Sequence, residues 1–533
     1  MKVHEKLEKS RDYFNQDDIP QSKKLLLEVE YELQEIASST YRSQIQANLG
    51  CLMIDLGANT QDKDLIIRGK DYTEDLIKRK LESEISVGQY YNLANGYIAL
   101  WDLEKKDSLK DGKIDESYFK AKHYFRKALD LVKKPAQSID PNLQAQINTN
   151  FGNCLCSVGR DVEAFSFYDA ALKFDKNFGM ALGNKAIALQ YLAFLAHGHP
   201  HLFLMESRRF YQEALKQSTP EDAHLIFQKG YDTVNSFILK HKEMKPEKHN
   251  QSEPISQFHQ FSRDFCIKHQ LYLTPTTFVG KKNEIVFGDP MFISGFIENL
   301  DSEHIVNRHI TFLNQIKQDF VLARYLLIQS QYQSIVVDTI DKDVILFDPL
   351  EYSLHSAYIE FLKLSLKLTM DTFDRIAQFI REYCGIKNPT AKKTHFRTIW
   401  THGKSHDTLR SEFASRKNKF LLALFDLSLD LRDDGYYQEI YESRNAITHR
   451  FLVVHEMMTP EDHTNVTSRI SREDLFETTI TAMQLLKAAV MYLVLFVDIE
   501  EKKKHNPNER YRKLPMYRVS LDYQWRPYYG DNN

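Results

Sequence analysis

Four times within residues 1–217 the sequence restarts one pattern, in which a small residue sits between large apolar ones. The clearest unit opens with Asn150, Phe151, Gly152 and Asn153 and continues through Leu155, Gly159, Ala164, Tyr168, Ala171, Leu172 and Asp175. Gly152, Ala164 and Ala171 let two antiparallel helices approach closely, and Phe151, Leu155, Tyr168 and Leu172 fill the space between them. The next unit begins with Leu182, Ala186 and Leu189. An earlier one reads Leu93 to Tyr97, then Ala121, Phe125, Ala128 and Leu129, with an insertion at Lys105 to Lys113 between its helices. A fourth, less regular unit contains Leu49, Gly50 and Gly57. One such pair of helices cannot bury its apolar face alone, so the units must stack, and an array of at least four is expected.

These units resemble tetratricopeptide repeats. Each places Asn two residues before its small residue, at Asn48, Asn92, Asn150 and Asn184. In that family this first-helix position can face a concave groove. The resemblance therefore implies a ladder of amides able to grip the backbone or carboxylate of a protein or peptide ligand. The competing reading is that each amide satisfies neighbouring groups inside the array.

Beyond the array the composition shifts. Residues 218–255 are richer in Lys, His, Glu and Pro, as in Met244 to Pro254, and read as a linker. In 256–355, β-prone runs at Glu284 to Phe287, Ser334 to Val337 and Val344 to Phe347 are bounded by Gly, Pro and Asp, which predicts a helical region carrying a small strand or hairpin. Helical periodicity then dominates 356–500, at Ser356–Tyr383, Arg416–Leu431, Tyr436–Met458 and Arg472–Val497, enough for a four-helix bundle. A basic and aromatic tail, 501–533, follows. The expected fold is mainly α throughout.

Charge and cysteine usage narrow the classes further. The net charge of -3 and pI near 6.7 provide no global basic field, so a nucleic-acid partner must be met by a local patch. One candidate is Lys387 to Lys419, which holds nine Lys or Arg against Asp407 and Glu412, along with His395, His402 and His406. Within it Lys392, Lys393 and Arg397 are the expected RNA contacts, against the alternative of a solvated charged loop. Five cysteines, mostly inside apolar helical patterns, point to reduced, packed thiols and a cytoplasmic setting. The polar start and the short uncharged apolar run Ala488 to Val497 predict neither a signal peptide nor a membrane span. His402 and His406 lack a convincing third ligand, and no phosphate loop or metalloprotease helix occurs, so no metal or cofactor is expected.

On the third bundle helix, Arg444-Asn445-Ala446-Ile447-Thr448-His449 sets an Arg and a His four residues apart. Two further pairs share the spacing, Arg397 with His402 and Arg450 with His455, but only Arg444 is followed by Asn and preceded by acids on the third of four helices. This combination resembles the HEPN superfamily of helical ribonucleases. Joined to tetratricopeptide repeats, it is similar to a repeat-linked branch associated with prokaryotic stress or phage defence. The resemblance implies metal-independent cleavage of RNA by 2′-OH attack, leaving a 2′,3′-cyclic phosphate, as a toxin-like activity. An imidazole titrating at about 6.5 suits proton transfer near neutrality, and a permanently charged Arg suits a developing phosphorane. Asn445 would orient His449 or a phosphate oxygen, and Glu442 would tune the imidazole.

On an ideal helix Glu442, Asn445 and His449 share one face within about 60°, opposite an apolar stripe of Ile440, Ile447, Phe451, Val454 and Met458. Arg444 and His449, however, point about 140° apart. That spread, with the family's habit of pairing third helices, implies a homodimer through the bundle. The reading from another class is a non-catalytic adaptor, whose repeats bind peptides and whose bundle only dimerises or binds nucleotides.

Overall fold

The computed structural model describes residues 2–513 apart from 38–39, 80–85, 111–113, 134–138, 196–199, 242–252, 280–287, 300–307, 348–349, 387–393, 402–408, 457–465 and 505–510. Five helix hairpins come first: α1 (Val3–Asn15) with α2 (Ile19–Leu33), α3 (Thr40–Thr60) with α4 (Lys63–Lys78), α5 (Val87–Lys110) with α6 (Glu116–Val132), α7 (Pro141–Ser157) with α8 (Asp161–Phe174), and α9 (Gly179–Leu195) with α10 (Pro200–Ala214). Asp62, Asp115 and Asp140 cap α4, α6 and α7 by accepting from the backbone N–H of Leu65, Ser117 and Asn142. The small residues do what the pattern predicts. A Cβ on Gly152 would lie 2.7 Å from the Tyr168 ring, and one on Gly69 would lie 2.6 Å from the Gly50 carbonyl, so these hairpins close through glycine.

The expected linker at 218–255 is in its first half a helix, α11 (Glu221–Lys240). Ala223, Phe227, Val234 and Ile238 are buried at helical spacing, and Gly183 leaves the space that Phe227 occupies. The stretch therefore ends the array rather than leaving it. Its apolar residues are spread around the helix, with Leu225, Ile226 and Leu239 exposed, so no single apolar stripe marks the helix in the sequence.

The middle region holds α12 (Gln257–Lys268), a 3-10 turn (Pro275–Phe278), β1 (Ile297–Asn299), α13 (Arg308–Gln329) and α14 (Ile335–Lys342). The β-prone run at Ser334 to Val337 opens α14, because Asp338 and Asp341 tie that turn to Tyr358 and the Ala357 amide. Val344 to Phe347 is no strand but an exposed segment, and Glu284 to Phe287 lies outside the described residues. The C-terminal part contains α15 (Ala357–Cys384), the one-turn α16 (Ser411–Ala414), α17 (Lys419–Asp430), α18 (Gln438–His449), β2 (Phe451–His455), β3 (Thr467–Ser471), α19 (Arg472–Lys503) and β4 (Tyr511–Lys513). β2 and β3 pair in parallel, and β4 pairs antiparallel with β1 instead of β1 forming a local hairpin. α13 packs on α15 and α19 and so joins the four anticipated helices. One helix among the described residues, α19, is long and apolar enough to cross a membrane, and 89% of its apolar window is buried in the protein.

Array and bundle share one hydrophobic core, into which a buried charge cluster is set. Gly159 ends α7 with a φ of +89°, a conformation that favours glycine, and the turn delivers Arg160 to the bundle. Asp426 accepts from Lys122 at 2.5 Å, Arg160 at 2.7 Å and the Tyr118 hydroxyl at 2.9 Å. Asp430 receives both Arg126 Nη groups, Lys122 and Arg160. The carboxylates lie one turn apart on α17, and all five charged groups are buried.

Candidate active site

α18 presents the Arg444–His449 motif, and its mounting begins with that charge cluster. The Asp430 carbonyl that ends α17 accepts from the Tyr437 amide, and Gly435 lets the chain turn because a side chain there would strike the Asp430 and Leu429 carbonyls. α18 then buries Ile440 and Ala446, with Tyr441 and Ile447 partly covered, against the core. It leaves Glu442 and His449 exposed and Arg444 and Asn445 half-buried.

Arg444 is held from across the bundle. Its Nη2 donates to Asp371 Oδ1 on α15 at 2.8 Å, and its Nη1 lies 3.4 Å from Asn445 Oδ1. The helix was expected to run to Met458, but it stops at His449. Arg450 is extended, and Phe451 to His455 become β2 by pairing with Thr467 to Ser471. A β-branched and aromatic run with a strand beside it gains more from the ladder than from another helical turn. Phe451 and Val454 therefore leave the predicted helical stripe: Phe451 is exposed and Val454 buried. Met458 lies outside the described residues.

The early stop also separates the three Arg/His pairs. His455 sits in β2 at 1% exposure, closed to a substrate, and His402 lies outside the described residues. His449 is the last residue of α18, with its side chain open to solvent. Along α18 Arg444 and His449 are separated by about 7.5 Å of axial rise and point in different directions, so one straight helix does not converge them.

Of the expected RNA contacts, Lys392 and Lys393 lie outside the described residues. Arg397 is committed internally: it donates to Asp433 at 2.6 Å and its guanidinium stacks over the Tyr441 ring of α18 at 3.3 Å. Arg416 and Lys419 of the same stretch pair with Glu500 and Asp161. Part of the basic stretch thus braces the bundle. His395, beside it, faces Asp374 at 3.0 Å, one turn beyond Asp371 on α15. Asp371 lies 73 residues before Arg444, and nothing local in the sequence marks it as the motif's support.

In the array, Asn150 donates to the Tyr91 hydroxyl and to Asn95, and Asn184 donates to Asn153, so two of the four ladder amides knit neighbouring helices together. Asn48 is exposed and Asn92 half-buried. No group of three or more potential metal ligands occurs among the described residues.

Residues 300–500 match the family model described as LA2681-like HEPN. The match runs from just before α13 into α19, so it encloses α18, Asp371 and the whole β2–β3 pair. No curated protein matches the chain. Among solved structures, the crystal structure of NprR in complex with its cognate peptide NprX is loosely similar, with a TM-score of 0.22 and 15% identity over 46% of this chain and 74% of that one.

Proposed function

We propose that this chain is a metal-independent endoribonuclease of the HEPN type, controlled through its repeat array during stress or phage infection. The observation that carries the reading is the α18 motif, with Arg444 anchored by Asp371 and His449 open at the helix end, inside a segment that matches the HEPN family. His449 would take the proton from the ribose 2′-OH as its oxygen attacks phosphorus, or return a proton to the departing 5′-oxygen, giving a 2′,3′-cyclic phosphate. Such proton transfer contributes about 10²–10⁴-fold. Arg444 would stabilise charge on the phosphorane oxygens, with Asp371 fixing its plane. Two copies paired through the C-terminal part would supply both a base and an acid. RNA would enter along the basic stretch through Lys392 and Lys393, with Arg397 acting from its stack on Tyr441. A peptide or protein ligand in the array, near Asn48 and Asn92, would set the activity.

The test is a denaturing gel of RNA incubated with the protein in EDTA, comparing wild type with Arg444→Ala, His449→Ala and Asp371→Ala. Loss of cleavage in the first two, in folded protein, is expected. If Arg444→Ala and Asp371→Ala behave alike while His449→Ala cleaves normally, Arg444 is a brace and the α18 motif is not the catalytic site; a wild type that never cleaves RNA leaves the adaptor reading in its place. Cleavage that stops in EDTA and returns with added metal would refute the mechanism.

A further inference from the structure

Lys122, Arg126 and Arg160, the buried cations where array meets bundle, are matched by Asp426 and Asp430. Lys487 on α19 is buried too, at 3% exposure, and among the described residues it forms no ion pair. Its Nζ donates to the Gln270 carbonyl and to Thr277 Oγ1, both at 2.8 Å, and lies 4.7 Å from the centre of the Phe278 ring. All three neighbours are neutral. The acids around it are engaged elsewhere: Asp289 pairs with Arg324 at 2.7 Å, and Glu163 accepts from Arg160 and the Tyr492 hydroxyl. His269, whose carbonyl accepts from Gln484 of α19, is itself pushed down by burial. A buried ammonium without a counter-ion is costly, so such a group either sheds its proton or takes up an anion.

The space for an anion lies beside it. Gln270, Phe278 and Lys487 form one wall of a cavity of about 140 Å³, enclosed by α8, the 3-10 turn, α19 and Tyr437, the residue that leads into α18. Val162, Phe167 and Leu485 give it apolar sides, and the exposed Ser166 and Gln484 mark where it opens to solvent. A pocket with one unmatched cation in its wall and hydrocarbon along its sides selects a ligand with a single negative head and an apolar tail. The volume keeps that tail short, since pockets for drug-sized ligands measure roughly 300–1,000 Å³.

We propose that this cavity binds a short-chain monocarboxylate, its carboxylate paired with the Lys487 ammonium and its alkyl chain against Val162, Phe167 and Leu485. Binding draws a proton from solvent onto Lys487 and turns an unmatched amine into half of a buried, charge-assisted pair. The walls come from the array, the middle region and the bundle, and Tyr437 continues directly into the helix that carries Arg444 and His449. An occupied site therefore ties the array to α18. Only that coupling rests on the nuclease reading; the binding does not.

Ligand-observed NMR titrations of the full chain with acetate, propanoate and butanoate test this at fixed ionic strength, at pH 6 and pH 9. At pH 6 affinity should rise about fourfold per added methylene, the hydrophobic gain of burying one CH₂. Burial holds Lys487 at about 7, so its charged fraction falls from about nine-tenths at pH 6 to about one-hundredth at pH 9, and the dissociation constant should rise roughly 100-fold. Lys487→Met should lose binding, with circular dichroism reading its fold, and butylammonium, of similar length and opposite charge, should not bind. No binding of butanoate at pH 6, equal affinity at the two pH values, undiminished binding by a folded Lys487→Met, or butylammonium bound as tightly overturns the proposal. So does chloride bound as tightly as butanoate. RNA cleavage is read in parallel: a wild type that binds butanoate but never cleaves refutes the nuclease and not the site, and cleavage unmoved by saturating butanoate refutes the coupling to α18.

Discussion

Replacing Asp430 with Ala removes the carboxylate that receives two bonds from Arg126, at 2.8 and 2.5 Å, another from Lys122 at 2.9 Å, and a contact from Arg160. Asp430 is 3% exposed; without it Lys122 keeps only Asp426, Arg160 keeps Asp426 and Glu163, and Arg126 loses the carboxylate it is paired with. Stranding buried charge in this way costs about 3–5 kcal/mol, a large share of the roughly 5–15 kcal/mol that a folded protein has in reserve. Asp433→Ala is the control, because Asp433 pairs with Arg397 at 83% exposure and an exposed pair contributes at most about 1 kcal/mol. Urea denaturation followed by circular dichroism reads both. The pH dependence supplies a second check. Burial alone would raise the Asp430 carboxyl, but Arg126, Lys122 and Arg160 outweigh it and hold it well below the ordinary carboxylate range. A group depressed in the folded state stabilises above the unfolded value of about 3.9 and loses that contribution as pH falls below it. The gap between wild type and Asp430→Ala should therefore be full at neutral pH and shrink below about pH 4. A loss under about 1 kcal/mol at pH 7, or a gap that widens in acid, would refute the buried-cluster argument.

Lys487, buried in α19 and donating to the Gln270 carbonyl and Thr277, is pushed down to about 7 by burial, with Asp289 opposing. The unfolded lysine titrates near 10.4, so the wild-type chain should gain stability as pH rises from about 7 to about 10; thermal melts of Lys487→Met should lack that rise, and equal slopes would contradict it. Gly69→Ala would set a Cβ 2.6 Å from the Gly50 carbonyl and 2.9 Å from the Ile54 amide, so α3 and α4 must separate and stability should fall by about 1–3 kcal/mol in denaturant titration. Neutralising Lys392 and Lys393 together should weaken RNA binding and lower its salt slope by about 2, one per lost phosphate contact; an unchanged slope removes them from the interface.

The repeat register was legible because it depends on local size. Gly152 against Tyr168, and Gly50 in the α3–α4 contact, are demands that a helix pair makes wherever it occurs, and they appear at fixed spacing. The motif was legible for the same reason, since Arg444, Asn445 and His449 lie on one short helix. The stretch 221–240 reads as linker in the sequence because only Ala223, Phe227, Val234 and Ile238 of it are buried.

By itself, then, the sequence determined a mainly helical chain, its repeated hairpins, and a helix carrying Arg444 and His449, because helical periodicity and close packing are encoded over a few turns. Only the tertiary structure decided that α18 stops at His449, where Phe451 to His455 finds a partner strand in Thr467 to Ser471. It likewise decided that Asp371 anchors Arg444, that Arg397 turns onto Tyr441, and that Arg160 reaches Asp426 266 residues away. Each is a pairing between segments far apart along the chain. Its partner's identity is set by which surfaces meet when the array closes on the bundle, and no local pattern of residues carries that information.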